Sequence, residues 1–267
     1  MGALVSLATK QLTEENVIDI VLSSVFTNDF RRLAQTLETD EVRAIDFASR
    51  RFTVELGDKE EDRVLLEGVS LLHIAAFQGF IRVLEVLLVS QIYTLDAWDH
   101  EHQTPLHYTC RRFFPRASSL LCDHRFSTHI QDVHGKVPLH YALENSRMAD
   151  TSRALIALGG DELTKAFAND TGYAPLHVAI QKQNLPIVTC MLARIGHVVA
   201  PTRDQWTPLM LALRYVLDDE LFSQFLVLFR KYKVTRLGFT TESKDVFTIA
   251  QCYHRSKAVI EWLCEID

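Results

Sequence analysis

A chain of 267 residues, 48% hydrophobic and 23% charged, is long enough to bury a sizeable core and is ordinary for a soluble globular protein. Its net charge of −6, with no long basic run, argues against nucleic acid as the default partner. Five cysteines (Cys110, Cys122, Cys190, Cys252, Cys264) form no CxxC and no regular framework, which points to reduced thiols in the cytosol or nucleus.

No window holds about 18 uninterrupted apolar residues, so no spanning helix is expected. The opening MGALVSLATK has too short an apolar stretch, and no leading charge, for a secretory signal. It does satisfy M-G-x-x-x-[ST], the pattern for N-myristoylation at Gly2. Many unmodified proteins match so short a pattern, and an ordinary frayed terminus stays open. One acyl chain, with only Lys10 as nearby basic help, gives marginal membrane attachment and needs a second contact.

Residues 1–12 are expected as a flexible N-terminus, and 13–50 as an N-terminal helical cap or irregular repeat. In LTEENVIDIVLSSV, Thr13 can cap a helix with Val17, Ile18, Val21, Leu22 and Val25 on its apolar face. Asn28 is expected to start a second helix, DFRRLAQTLE, with Phe30, Leu33, Ala34 and Leu37 inward. Both helices keep a polar outer face, as an end repeat requires. The stretch RRFTVELGDKEEDRVLLE is too long for a standard connection. Its residues 51–67 are an acidic insertion, expected as a short strand pair turning at Gly57-Asp58.

From residue 68 onward the sequence repeats. SLLHIAAFQGF begins at Ser70, TPLHYTCRRFF at Thr104, VPLHYALENSR at Val137, APLHVAIQKQN at Ala174, TPLMLALRYVL at Thr207 and a degenerate DVFTIAQCYHR at Asp245. The intervals are 34, 33, 37, 33 and 38 residues, with the extra length at 159–170 and 232–245. Each copy is followed by a second apolar segment: FIRVLEVLLVSQ, ASSLLC, DTSRALIALG, LPIVTCMLARIG, ELFSQFLVLFRKY and SKAVIEWLCEID. Their leucines or equivalents stand three and four apart, the stripe of an amphipathic helix. Phe222, Phe225, Phe229 and Trp262 follow the same spacing and read as core. Pro105, Pro138, Pro175 and Pro208 fall at the first helical turn, where a missing N–H costs nothing. Thr104 and Thr207 stand just before as N-caps. The acidic residues of 38–67 and the basic cluster Arg230, Lys231, Lys233 and Arg236 read as solvated faces.

This pattern resembles the ankyrin repeat, T-P-L-H-x-A-A followed by a V-x-x-L-L helix, over about residues 65–267. The resemblance implies an all-α fold: an α-solenoid with short β-hairpin loops, about six repeats over 68–267 plus the N-terminal helical cap. Two departures stand out. The usual glycines after the second helix are mostly missing (Ser90-Gln91 and Asp123-His124 replace them), and RRFFPR crosses the inter-helix turn of the second repeat.

The run HEHQTPLH raises the question of a metal site. Of its histidines, His107 shares one phase of the repeat with His73, His140 and His177, where the resemblance implies a structural ring linking neighbouring hairpins. Met210 holds the fifth such position and makes that joint more apolar. His100, His102, His124, His129 and His134 remain, but without HExxH or paired CxxC they lack zinc-site spacing. Cys110 and Cys122 fall on helices and read as core. There is no GxGxxG after a strand, no GxxxxGK[ST] and no GxSxG. No catalytic residue, no cofactor and no metal are therefore expected.

The resemblance implies a non-catalytic protein–protein interaction module, an adaptor or scaffold, with a partner protein on the concave hairpin and first-helix face. Carried over position by position, that face takes His100, Glu101, Gln103, Arg111 and Arg112 from the second repeat and His134, Lys136, Glu144 and Asn145 from the third. It takes Asp170, Thr171, Tyr173, Gln181 and Lys182 from the fourth, and Arg203, Asp204, Trp206, Arg214 and Tyr215 from the fifth. Tyr173, Trp206 and Tyr215, beside arginine, are the residue types enriched among interface hot spots. Two rival functions remain: a structural subunit of a large cytoskeletal or ciliary assembly, and a metal-binding or enzymatic protein using the His100–His134 cluster. The expected location is cytoplasmic, with membrane association only through an acylated Gly2, or cytoskeletal.

Overall fold

The structure, a computed structural model, describes residues 14–56, 63–159, 172–195, 201–234, 240–242 and 244–264. The chain divides into two compact units, Met1–Arg112 and Phe113–Asp267, parting within the RRFFPR turn.

In the first unit, α1 (Glu14–Phe26) buries Val17, Val21 and Val25, while Ile18 and Leu22 are only half-buried. Thr13, the expected cap of α1, lies outside the described residues. Asn28 does not start α2 (Phe30–Leu37): it sits in the left-handed region, and Asp29 is the cap, accepting the Arg32 N–H at 3.0 Å. Leu33 and Leu37 of α2 are buried, and Phe30 and Ala34 half-buried. After the short α3 (Asp40–Arg43), the insertion forms the expected strand pair, β1 (Phe52–Leu56) antiparallel to β2 (Val64–Val69). Its Gly57-Asp58 turn lies outside the described residues. Then come α4 (Leu71–Gln78), α5 (Ile81–Ser90) and α6 (Pro105–Arg111). First helices pack on first helices (α1 on α4, α4 on α6) and second on second (α2 on α5).

The second unit continues with α7 (Pro115–Asp123), α8 (Pro138–Ala142), a 3-10 turn at Ser146–Met148, α9 (Ala149–Gly159), α10 (Pro175–Gln181) and α11 (Leu185–Ile195). It ends with α12 (Pro208–Tyr215), α13 (Asp219–Lys231), α14 (Val246–Cys252) and α15 (Lys257–Cys264). Here α8, α10, α12 and α14 stack in succession, as do α7, α9, α11 and α13. Phe222, Phe225 and Phe229 are fully buried, whereas Trp262 is half-exposed and so only partly the core residue expected. Cys110 and Cys122 are buried free thiols, and burial pushes the Cys122 thiol up to about 11.

Helix starts follow local chemistry. Proline occupies the first turn of α6, α8, α10 and α12. Thr207 caps α12, its hydroxyl accepting the Met210 N–H at 3.3 Å. Thr104 behaves differently: its hydroxyl meets the His107 ring at 2.9 Å, and the ring's Nδ1 accepts the Thr104 N–H at 3.0 Å. The same ring-to-backbone bond forms at Ser70 (3.1 Å), Val137 (3.0 Å) and Ala174 (3.1 Å). The histidine three residues on satisfies the buried N–H of the cap whether the cap carries a hydroxyl, as Ser70 and Thr104 do, or none, as in Val137 and Ala174.

Candidate functional site

Four hairpin tips are built on one short polar side chain five residues before the helix cap. In the first unit, buried Asp99 accepts the N–H groups of Glu101 (2.9 Å) and Gln103 (2.8 Å) through Oδ1, and the Tyr108 hydroxyl (2.6 Å) through Oδ2. In the second unit, Asp132 repeats this with His134, Lys136 (both 2.9 Å) and Tyr141 (2.6 Å). Burial and then the Asp99 carboxylate hold the Tyr108 phenol far above its ordinary pKa, so it stays a donor. Thr202 takes the aspartate's place in the fifth repeat, accepting the Trp206 N–H at 3.1 Å, and Thr240 does so in the last, for Lys244 at 3.2 Å. No sequence motif used above singles these residues out, although their fixed offset from the cap was visible.

Two of the phased histidines, His73 and His140, reach the next hairpin. His73 and His140 are buried, and their Nε2 atoms bond the carbonyls of Gln103 (2.9 Å) and Tyr173 (3.0 Å) on the next hairpin. Burial lowers the His73 pKa to about 3 and that of His140 to about 4, which keeps both rings neutral. With Nδ1 accepting a backbone N–H, the proton resides on Nε2 and is donated to the carbonyl.

On the first unit's tip, His100, Glu101, Arg111 and Arg112 are exposed. His100 Nδ1 lies 3.2 Å from Glu67 Oε2, Arg111 3.9 Å from Glu101, and the Arg112 guanidinium 4.6 Å above the Phe77 ring. Trp98, 56% exposed, stacks on His102 at 4.9 Å. Gln103 corrects the expectation: it is 1% exposed, its backbone closes the tip and receives His73, and no partner can reach its side chain.

In the second unit, eight of the expected side chains converge. Lys136, Glu144, Tyr173, Gln181, Lys182, Arg203, Asp204 and Tyr215, together with His140, line an open cleft of about 570 Å³. The Tyr173 and Tyr215 hydroxyls are 3.5 Å apart, and Gln183 Nε2 donates to the Tyr215 carbonyl at 2.8 Å. Beside the cleft, the Arg214 guanidinium stands 5.2 Å from both the Trp206 and the Tyr215 ring centroids. His134 is exposed on its hairpin, and Asn145 caps the 3-10 turn by accepting the Arg147 N–H at 2.9 Å; neither lines the cleft. Asp170, Thr171 and the lipidation candidate Gly2 lie outside the described residues. Among the described residues, no group of three His, Cys, Asp or Glu is arranged to hold a metal ion, and no helix is long and apolar enough to cross a membrane.

A family model for ankyrin repeats, in three copies, matches residues 72–166. Inversin of Mus musculus is 31% identical over 96 residues, covering 35% of this chain and 9% of inversin. Human transient receptor potential cation channel subfamily A member 1 is 29% identical over 111 residues, 42% of this chain and 10% of the channel. The matches thus span about a tenth of these curated relatives. The crystal structure of the ankyrin repeat domain of Bcl-3 superposes with a TM-score of 0.65 at 18% identity, covering 92% of this chain and 97% of that one. At that identity the likeness concerns the fold alone.

Proposed function

We propose that this chain, an ankyrin-repeat protein by its motif, its matched repeats and its fold, is a non-catalytic adaptor or scaffold that holds a partner protein in the cleft of its second unit. One observation supports this most: eight side chains taken from separate repeats meet around one open cleft, with the Trp206–Arg214–Tyr215 stack at its edge. Aromatic rings and arginine in a concave setting are what interface hot spots are made of. The reading is non-enzymatic, as the ankyrin-repeat fold typically is. On this proposal the chain works in the cytoplasm or on the cytoskeleton.

Trp206→Ala with Tyr215→Ala is expected to cost roughly 2–4 kcal/mol of partner binding on hot-spot magnitudes. The check is quantitative capture from native cells by the intact chain and by the double variant, with helical circular dichroism unchanged. Undiminished capture by the folded variant moves the interface elsewhere, first to the acidic insertion.

A second reading, a permanent subunit of a large assembly, draws on the first unit. Leu37, Val42, Val86, Val89 and Ile92 line a largely apolar cleft of about 480 Å³, and Val89 is 81% exposed. Persistent insolubility of the isolated chain favours this reading; a stable soluble monomer counts against it.

A further inference from the structure

We infer that the cleft of the second unit takes an acidic segment of its partner, a stretch bearing several carboxylates, in preference to a neutral or basic one. The inference rests on the proposal that this cleft is the partner site.

The cleft inverts the sign of the chain. Net charge is −6 overall, yet the cations Lys136, Lys182 and Arg203 line the cleft, with Arg214 at its edge. Among the described lining residues, only Glu144 and Asp204 oppose them. Glu144 stands 4.0 Å from Lys136, so these two charges offset one another and leave Lys182 and Arg203 against Asp204. Among the described residues, Lys182, Arg203 and Arg214 make no salt bridge. Lys182 and Arg203 are exposed.

Arg214 is preorganised for this role. Its guanidinium stands over both the Trp206 and the Tyr215 rings, 5.2 Å from each centroid. A planar guanidinium steadied by ring contacts loses less freedom when it donates to a carboxylate, and its fork matches a carboxylate in bidentate fashion. The phenols of Tyr173 and Tyr215, 3.5 Å apart, add O–H donors beside it. Burial, and then the mutual hydrogen bond, raise the Tyr173 pKa, so its hydroxyl donates at neutral pH.

An acidic segment approaching this protein is repelled by the chain as a whole and attracted only within about a Debye length, ~10 Å, of the cleft. Such a local reversal serves specificity: a basic segment drawn in by the net charge meets like charge at the cleft.

The test titrates the full chain into fluorescein-labelled octaglutamate, octaglutamine and octalysine, reading fluorescence anisotropy at about 50 mM and about 300 mM salt. Octaglutamate is expected to bind more tightly than the other two, and more weakly at the higher salt. Lys182→Glu with Arg203→Glu, two exposed positions, is expected to weaken octaglutamate about ten-fold or more while the circular dichroism stays native. Absence of octaglutamate binding at low salt, equal binding of octaglutamine, or unchanged binding by the folded reversed variant each overturns the inference. Cellular capture separates the two proposals. Loss of the partner with Trp206→Ala and Tyr215→Ala, but not with the charge reversal, keeps the cleft as partner site and removes its acidic preference. Retention of the partner by both variants removes the site itself.

Discussion

Asp99 and Tyr108 show how one side chain can hold a hairpin. The carboxylate accepts two backbone N–H groups and one phenol, so the turn that presents His100 and Glu101 cannot open without stranding a buried charge. Tyrosine follows the phased histidine only where the tip residue is aspartate, as in Tyr108 with Asp99 and Tyr141 with Asp132. Where Thr202 forms the tip, Leu211 stands in the tyrosine's place. The histidines predict a pH response. Their folded pKa values, about 3 for His73 and about 4 for His140, lie below the ordinary 6.5, so the unfolded chain takes up protons first as pH falls. The stability these neutral rings contribute is complete above about pH 6.5. It falls by about 1.4 kcal/mol per ring for each pH unit below that, until the folded rings themselves titrate. Unfolding free energies from urea titrations at pH 7.5 and pH 5 should differ by roughly 2 kcal/mol per ring, and His140→Gln should flatten the slope. An identical free energy at both pH values contradicts the neutral-ring picture.

At the element scale, the missing glycines have a backbone counterpart. Gln91, Arg125 and Lys233 follow α5, α7 and α13 in the left-handed region, with φ of 54°, 63° and 56°. The chain thus keeps the turn geometry and accepts the strain that a Cβ brings there, about 1–2 kcal/mol each. Two residues before the cap, Gly68, His102, Gly135, Gly172 and Gln205 are also left-handed, so that position is set by the hairpin and not by residue type. Gln91→Gly is expected to stabilise the protein by about 0.5 kcal/mol, strain relief slightly exceeding the added unfolded-state entropy. Gly172→Ala is expected to do the opposite. A Cβ there meets the Arg203 Cβ at 2.5 Å and its N at 2.8 Å, at a φ of +64°. Roughly 1–3 kcal/mol should be lost, and with it the setting of Arg203 in the cleft. Equilibrium urea unfolding reads both changes, and a neutral Gly172→Ala argues that the two hairpins approach less closely than this.

Across the whole molecule, eleven histidines invite a metal reading, which the engagements of three in the HEHQTPLH run oppose. His100 is hydrogen-bonded to Glu67, His102 stacks on Trp98, and His107 is buried against Thr104. A tetrahedral site needs three or four such ligands on one point. Elemental analysis of protein purified without chelator should therefore find well under one zinc per chain. A stoichiometric, tightly held ion revives the metalloprotein alternative.

What the sequence determined by itself is much of what acts within one turn of helix. The repeat phase, the prolines opening α6, α8, α10 and α12, and the histidine at the third helical position were all legible, because each works on atoms three to five residues away. The limits of such reading show at Asn28, where an equally plausible neighbour, Asp29, took the cap. The tertiary structure decided what depends on distant residues. Gln103 shares its hairpin tip with Glu101, yet one is buried and the other exposed, because the His73 ring reaches the Gln103 carbonyl from the preceding repeat. The pairing of Tyr173 with Tyr215, the close approach of Gly172 to Arg203 and the gathering of eight side chains around one cleft join positions from separate repeats. Periodicity names the residues at each tip. Only the stacking of one repeat on the next, through side-chain packing between helices, determines which of those tips face each other.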